Sequence, residues 1–175
     1  MKRLTIAFIG LLILAACATI NYFRPKYHDV DKQIQPIYNE YIELSILKHI
    51  TFKHKVNVGF GKLDEPTVGM CVYTSTFREI TIDPDWWKYA TETSRTALIF
   101  HELTHCYCGR SHDYGGMTPY PEAKDIDSNF AAQRSEFWDD ACPTSIMYPK
   151  VVFDYCMRLH YNEYIEEMFD RCEPW

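Results

Sequence analysis

The chain has 175 residues, 47% of them hydrophobic and 15% aromatic, and its 18 Lys and Arg face 24 Asp and Glu for a formal charge of −6. That length suits one domain with a real core, and the composition excludes a disordered chain. The acidic balance argues against nucleic acid as the main partner, because neutralising phosphates requires clustered Lys and Arg.

The first residues read as a targeting segment. Lys2 and Arg3 precede an apolar stretch from Leu4 to Leu14, broken only by Thr5 and Gly10, and the small residues Ala15 and Ala16 lead into Cys17. This resembles the lipobox of bacterial lipoproteins, in which cleavage precedes the cysteine and its thiol receives a diacylglycerol. The resemblance implies a signal peptide over 1–16, a lipidated Cys17, a tether over 17–26 and a folded domain over 27–175. A signal-anchor helix is the competing reading, since Leu4 to Ile20 is about the minimum length that spans a bilayer. The cysteine at the cleavage position favours the lipoprotein. Losing Lys2 and Arg3 leaves 16 basic against 24 acidic side chains, so the acyl chains alone would hold this acidic domain to a membrane.

From Tyr27 to about Thr51, apolar residues at Val30, Ile34, Ile37, Tyr41, Leu44, Leu47 and Ile50 follow the three-four spacing of an amphipathic helix. Pro36 marks a start or a bend in it. Lys55 to Phe60 alternates like a strand, and Val68 to Thr74 and Arg78 to Asp83 are two further strands rich in β-branched residues, the last ended by Pro84. After Trp86 and Trp87, a helix runs from about Ser94 to Cys108, with Ser94 or Thr93 as its cap and Gly109 placed for a left-handed C-terminal residue. Residues 111–143 contain Gly115, Gly116, Pro119, Pro121 and Pro143 and read as irregular chain with at most a helical turn near Phe130 to Trp138. Val152 to Phe169 reads as one last amphipathic helix.

The chemistry sits on the second long helix. His101-Glu102-Leu103-Thr104-His105 places two imidazoles at i and i+4, on one face, where both can reach one zinc ion. Glu102 is turned away from the metal but stays close to a metal-bound water, whose pKa zinc lowers toward neutrality. A carboxylate there accepts the water's proton during attack on a peptide carbonyl and then protonates the leaving amine. The helix offers no third ligand of the right reach. Gly109 lets the chain turn sharply, and His112 comes back three residues later. Three histidines and one open position make a catalytic rather than a structural zinc site.

Together with Ser145-Ile146-Met147-Tyr148-Pro149, this elongated motif resembles that of the metzincin zinc peptidases, whose Met-turn is closest to this one in the matrixin branch. One departure stands out: an extra residue between His105 and the glycine makes the pattern HExxHxxxGxxH. Cys106, Arg110, His112 and Asp113 match a variant found in small metzincin-like peptidases and lipoproteins of bacteria and their phages. The resemblance covers roughly Gly69 to Phe169. It implies an α+β zincin fold: a twisted mixed sheet, an N-terminal helix, an active-site helix, and a C-terminal helix after the Met-turn. It further implies an edge strand at Gly69 to Thr74 that pairs with peptide substrate, and Met147 as an apolar floor beneath the metal. Asp113 would orient a ligand histidine, and Arg110 would pair with an acid to pin the hook. Tyr148, Tyr114 and Tyr120 all remain candidates for stabilising the oxyanion.

Six cysteines follow Cys17, an even number that suggests disulfides in an exported chain, with fifteen connectivities open. Cys106, beside a ligand, and Cys142, just before the Met-turn, form the favoured bridge. Metal ligation by cysteine lacks the spacing it needs. His28, His49, His54 and His160 have no ligand partner at i+3 or i+4, and Asp125, Asp127, Asp139 and Asp140 lack EF-hand spacing, so they read as a solvated acidic loop. No cysteine between Ala18 and Thr51 is available for a zymogen switch.

The expectation is therefore a monomeric zinc peptidase: His101, His105 and His112 hold Zn2+, and Glu102 is general base and acid. It would be exported and lipid-anchored at the bacterial outer membrane, cell surface or periplasm, with a phage-encoded origin equally compatible. Its partners would be peptide or protein substrates and the membrane, not nucleic acid. A non-catalytic zinc-containing exported lipoprotein and a zinc amidase acting on cell-wall peptides are the competing readings.

Overall fold

The computed structural model describes residues 25–119, 141–152 and 154–174. Helix α1 spans Gln35–Leu47, strands β1, β2 and β3 span Asn57–Phe60, Gly69–Tyr73 and Arg78–Ile82, and helices α2 and α3 span Pro84–Tyr89 and Glu92–Cys108. Two short strands follow, β4 at Met117–Pro119 and β5 at Ala141–Pro143, and then helices α4 (Asp154–Leu159) and α5 (Tyr161–Asp170). The architecture is α+β, with a three-stranded mixed sheet in the order β1-β3-β2. Strand β1 runs parallel to β3, pairing Val58 with Ile80, and β2 runs antiparallel to it, pairing Cys71 with Ile80. Among the described residues strand β2 is therefore an edge of this sheet, lying beside α3.

Helix α1 begins at Gln35 with Pro36 in its first turn, where the missing N–H has no bond to lose. The expected longer helix fails because Val30 is occupied in a parallel bridge with Val58. The buried stripe is Ile34, Tyr38, Tyr41 and Ser45, while Leu47, assigned to that face by periodicity, is 74% exposed. Tyr41 packs edge-on against Phe100, and Phe52 stacks on Tyr107 with 4.0 Å between ring centroids, joining α1 and its following loop to α3.

Pro84 ends β3 and also opens α2, a helix not expected from the sequence. Asp83 caps it, its carboxylate accepting from the backbone N–H groups of Asp85 and Trp86 at 2.9 and 3.2 Å and from that of Leu63 at 3.0 Å. Helix α3 starts at Glu92, and its cap is Thr91 rather than Thr93 or Ser94. Extended at ψ 164°, Thr91 has the geometry to accept from the Ser94 N–H, which makes Ser94 the recipient of the cap. From Ala97 to Cys108 only His105 is not fully buried, so α3 is a central helix covered on nearly every side. Gly109 closes it at φ 63°, its N–H bonded to the His105 carbonyl at 3.1 Å, as Gly109 was expected to.

The last helix is two helices. The backbone breaks at His160 (φ −118°, ψ 25°), and this turns α5 so that Tyr164, Ile165, Met168 and Phe169 reach the core. The segment read as irregular from 111 to 143 contains strands β4 and β5, which pair antiparallel with Thr118 opposite Cys142. The possible helical turn at 130–138, Tyr120, the four loop aspartates, and the segment containing Cys17 lie outside the described residues. Among the described residues no helix is long and apolar enough to cross a membrane.

All six remaining cysteines pair, but not as expected: the bridges are Cys71–Cys106, Cys108–Cys172 and Cys142–Cys156. The favoured Cys106–Cys142 bridge is not formed. Two residues apart on a helix are about 200° around its axis, so Cys106 faces the edge strand while Cys108 faces the C-terminal segment. The strand β5 that leads into the 145–149 segment is stapled to α4 instead, through Cys142.

Candidate metal centre

Helix α3 brings His101 and His105 together one turn apart, and their Nε2 atoms lie 3.0 Å from one another. The left-handed Gly109 reverses the chain, and His112 returns with its ring centroid 5.2 Å from that of His101 and 4.9 Å from that of His105. The extra residue is absorbed by carrying the helix through Cys108, so the third histidine still arrives. One ligand atom from each of the three lies within 4.8 Å of the others, the one such group among the described residues. A tetrahedral ion bound at roughly 2.0–2.1 Å would separate its nitrogens by about 3.3 Å, so the spacing suits one metal.

The hydrogen bonds behind the rings test that fit. His101 Nδ1 donates to the Ile146 carbonyl at 2.8 Å, and His105 Nδ1 donates to the Arg110 carbonyl at 2.5 Å. Carbonyls only accept, so each Nδ1 carries the proton and each Nε2 presents a lone pair. Two lone pairs facing each other at this distance call for a cation between them. Burial, aided by neighbouring His105, holds the His101 pKa down to about 3, so at neutral pH that cation is not a proton. Burial lowers the pKa of His105 as well, against the Arg110 carbonyl bond. Neutral imidazoles with fixed tautomers are ready metal ligands.

Glu102 is buried beside this cluster, and burial pushes its pKa up to about 8 against the Cys71 backbone N–H that donates to its carboxylate. Residues of β2 alternate in the direction of their backbone groups. Val68 accepts from Asp83 and Thr74 donates to Phe77, at 2.9 and 2.8 Å, which leaves Gly69, Cys71 and Tyr73 turned to the outer edge. A Cβ on Gly69 would lie 2.7 Å from Glu102 Oε1, so only glycine allows this approach of strand and carboxylate. A cavity of about 550 Å³ opens here, lined by Val68, Trp86, Leu98 and Val151 together with His101, Glu102 and His112.

The segment at 145–149 is a tight turn, with the Tyr148 N–H bonded to the Ser145 carbonyl at 3.2 Å and the Met147 side chain fully buried. Asp113 N–H donates to the Met147 carbonyl at 2.9 Å, so the turn touches both the hook and, through Ile146, the first ligand. The Asp113 carboxylate does not orient a histidine. It accepts from Arg171 and from the Gly115 N–H at 2.9 and 2.8 Å, and the two carbonyls do the orienting. Arg110 pairs with an acid as expected: Glu167 is its near partner, and the Asp113 carboxylate lies 4.0 Å from the same guanidinium. Tyr114 and Tyr148 stand edge to face at 6.4 Å. Carbonyl acceptors and Glu167 have no motif by which sequence could disclose them, whereas a glycine inside a strand was a readable sign of close approach.

A family model with the description "Putative phage metallopeptidase" matches residues 28–129, more than half of the chain. The chain belongs to this family. The matched region runs from before α1 past β4 and contains His101, Glu102, His105 and His112, while the turn around Met147 lies beyond it. Neither a curated protein nor a solved structure matches the chain. Membership of a metallopeptidase family and a group of three histidines able to hold a metal ion agree on a metal-dependent peptidase.

Proposed function

We propose that the chain is a zinc endopeptidase of metzincin type, and that Glu102 is its general base and acid. The observation that carries this reading is the convergence of His101, His105 and His112 beside a buried carboxylate, at the mouth of a cavity and against an edge strand. His101, His105 and His112 would hold the ion through Nε2 of the first two and one ring nitrogen of the third. Three imidazoles suit zinc among the common metals, although copper, iron and nickel accept the same donors. When bound, zinc polarises the scissile carbonyl and lowers the pKa of water beside it.

The protein's own groups do the rest. Peptide lies along β2, pairing with the outward backbone groups of Gly69. A cation held by the histidines would offset the burial that raises the Glu102 pKa and favour its charged form; steadied by the Cys71 N–H, that carboxylate takes the proton of the attacking water and passes it to the leaving amine. The turn at Met147 and the hook at Gly109 keep two ligand rings aimed by holding the carbonyls behind them. Export on a diacylglycerol at Cys17 belongs to the same proposal; the sequence pattern ahead of that cysteine supports it.

Digestion of a peptide library, with and without a chelator, tests the reading. The wild type should cut and lose activity on chelation, and Glu102→Gln should keep one metal while losing about 10²- to 10⁴-fold in rate. Metal binding by both with no cleavage by either would leave a binding module, and cleavage confined to cell-wall peptides would make the enzyme an amidase.

A further inference from the structure

The two carbonyls that aim His101 and His105 belong to segments far apart in sequence, and beside the direct bond from the Asp113 N–H to the Met147 carbonyl one carboxylate links them. Arg110, whose own carbonyl accepts from His105, gives its guanidinium to Glu167 Oε1, and its Nη1 also donates to the Glu167 carbonyl at 3.2 Å. The other oxygen, Oε2, accepts from the Ser145 hydroxyl at 3.1 Å. That hydroxyl in turn accepts from the Met147 N–H at 3.0 Å. Ile146, the acceptor for His101, lies between these two residues. Both Arg110 and Glu167 are largely buried, at 9% and 18% side-chain exposure, so water screens the pair poorly.

We infer that Glu167 is a positioning residue of the metal centre, holding the hook and the Met-turn together so that both ligand rings keep their aim. This rests on the metal site proposed above. Helix α5 has independent reasons to stay docked. Cys108–Cys172 ties down its end, Tyr164 donates to the Pro143 carbonyl at 2.7 Å, and Met168 and Phe169 are buried. Removing one charge at 167 therefore leaves the helix in place and slackens the two arms. Outer partners of ligand histidines are worth about 10- to 100-fold in metal affinity or activity.

The test loads the full chain with Co2+ and reads affinity by chelator competition, alongside the visible absorption of the bound ion and the melting of the metal-free protein. Glu167→Gln should weaken Co2+ about 10- to 100-fold and change its absorption. Glu166→Gln, which loses only a surface pair with Lys48, should match wild type. Ser145→Ala cuts one arm and should produce a smaller loss, non-additive with Glu167→Gln because both act on the same turn. If Glu167→Gln melts earlier but its folded fraction binds Co2+ as wild type does, with the same absorption, Glu167 is merely structural and the inference is overturned. Should Glu167→Gln not fold, Ser145→Ala decides: unchanged affinity and absorption overturn the inference, and a loss supports it. A wild type that binds no metal sinks the metal site and this inference together. One that binds metal but cuts nothing sinks only the peptidase reading, and weaker Co2+ binding by Glu167→Gln still supports the positioning role.

Discussion

Replacing Gly69 with alanine should strike the proposed general base without touching any ligand. The new Cβ would stand 2.7 Å from Glu102 Oε1, 3.0 Å from Glu102 Cγ and 2.9 Å from Leu98 Cδ1. Carbon atoms in ordinary contact are about 3.5–4.0 Å apart, so Leu98 or the strand must yield by at least ~0.6 Å. Glu102 must move too, away from the Cys71 N–H that steadies it. Overpacking of this kind costs about 1–3 kcal/mol of stability. Misplacing a reacting group by ~1 Å costs about 10²-fold in rate, and a smaller displacement of Glu102 should cost roughly tenfold or more. The assay is peptide hydrolysis at saturating substrate, with Co2+ affinity measured on the same preparation. The turnover number should fall while metal affinity stays within about twofold, the ligands being untouched. Gly116→Ala is the control, since its nearest neighbour would be an ordinary contact at 3.6 Å. Wild-type turnover in a folded Gly69→Ala protein would refute the placement of Glu102 against β2.

Three further outcomes follow from the structure. Gly109→Ala puts a side chain at φ 63° and should cost about 1–2 kcal/mol in denaturant unfolding, with weaker metal binding as the hook distorts; an unchanged midpoint would contradict the left-handed backbone. Asp83 has its pKa depressed to about 2, chiefly by the Leu63 N–H, so its contribution is complete above the ordinary carboxylate value near 4 and is lost as pH falls through about 2. Asp83→Asn should therefore be less stable than wild type at neutral pH, with the gap closing on acidification; a gap that widens in acid would reverse the sign and defeat this account. Replacing Cys108 and Cys172 by serine opens a bridge across 64 residues and should cost about 4 kcal/mol if loop entropy dominates; a loss below ~1 kcal/mol in the same unfolding assay would exclude that origin.

The site was more legible than its supports. Ligand spacing on a helix is a local property, set by the helical repeat, so His101, Glu102 and His105 could be placed without knowing the fold. Gly109 and His112 extended that reading across the hook, because a glycine needed at positive φ is also a local signal. The helix boundaries were less legible. Whether Asp83 or Thr91 caps a helix depends on which N–H groups are left free, and the break at His160 depends on where α5 must pack. Periodicity assigned Leu47 to the buried face, yet Ser45 is the buried residue at that end of α1 and Leu47 is exposed.

By itself, the sequence determined the grouping of three histidines able to hold a metal ion, the carboxylate beside them, the left-handed stop after the helix and the presence of an α+β domain, all consequences of spacing or of one residue's backbone preference. Only the tertiary structure decided the cysteine pairing, the Cys71 N–H on Glu102, the carbonyls that fix two imidazole tautomers, and Glu167 as one link between hook and turn. Such contacts join distant segments, 35 residues apart for Cys71 with Cys106 and 57 for Arg110 with Glu167. No local pattern encodes them, because each depends on how helix, strand and turn come to rest against one another in the packed core.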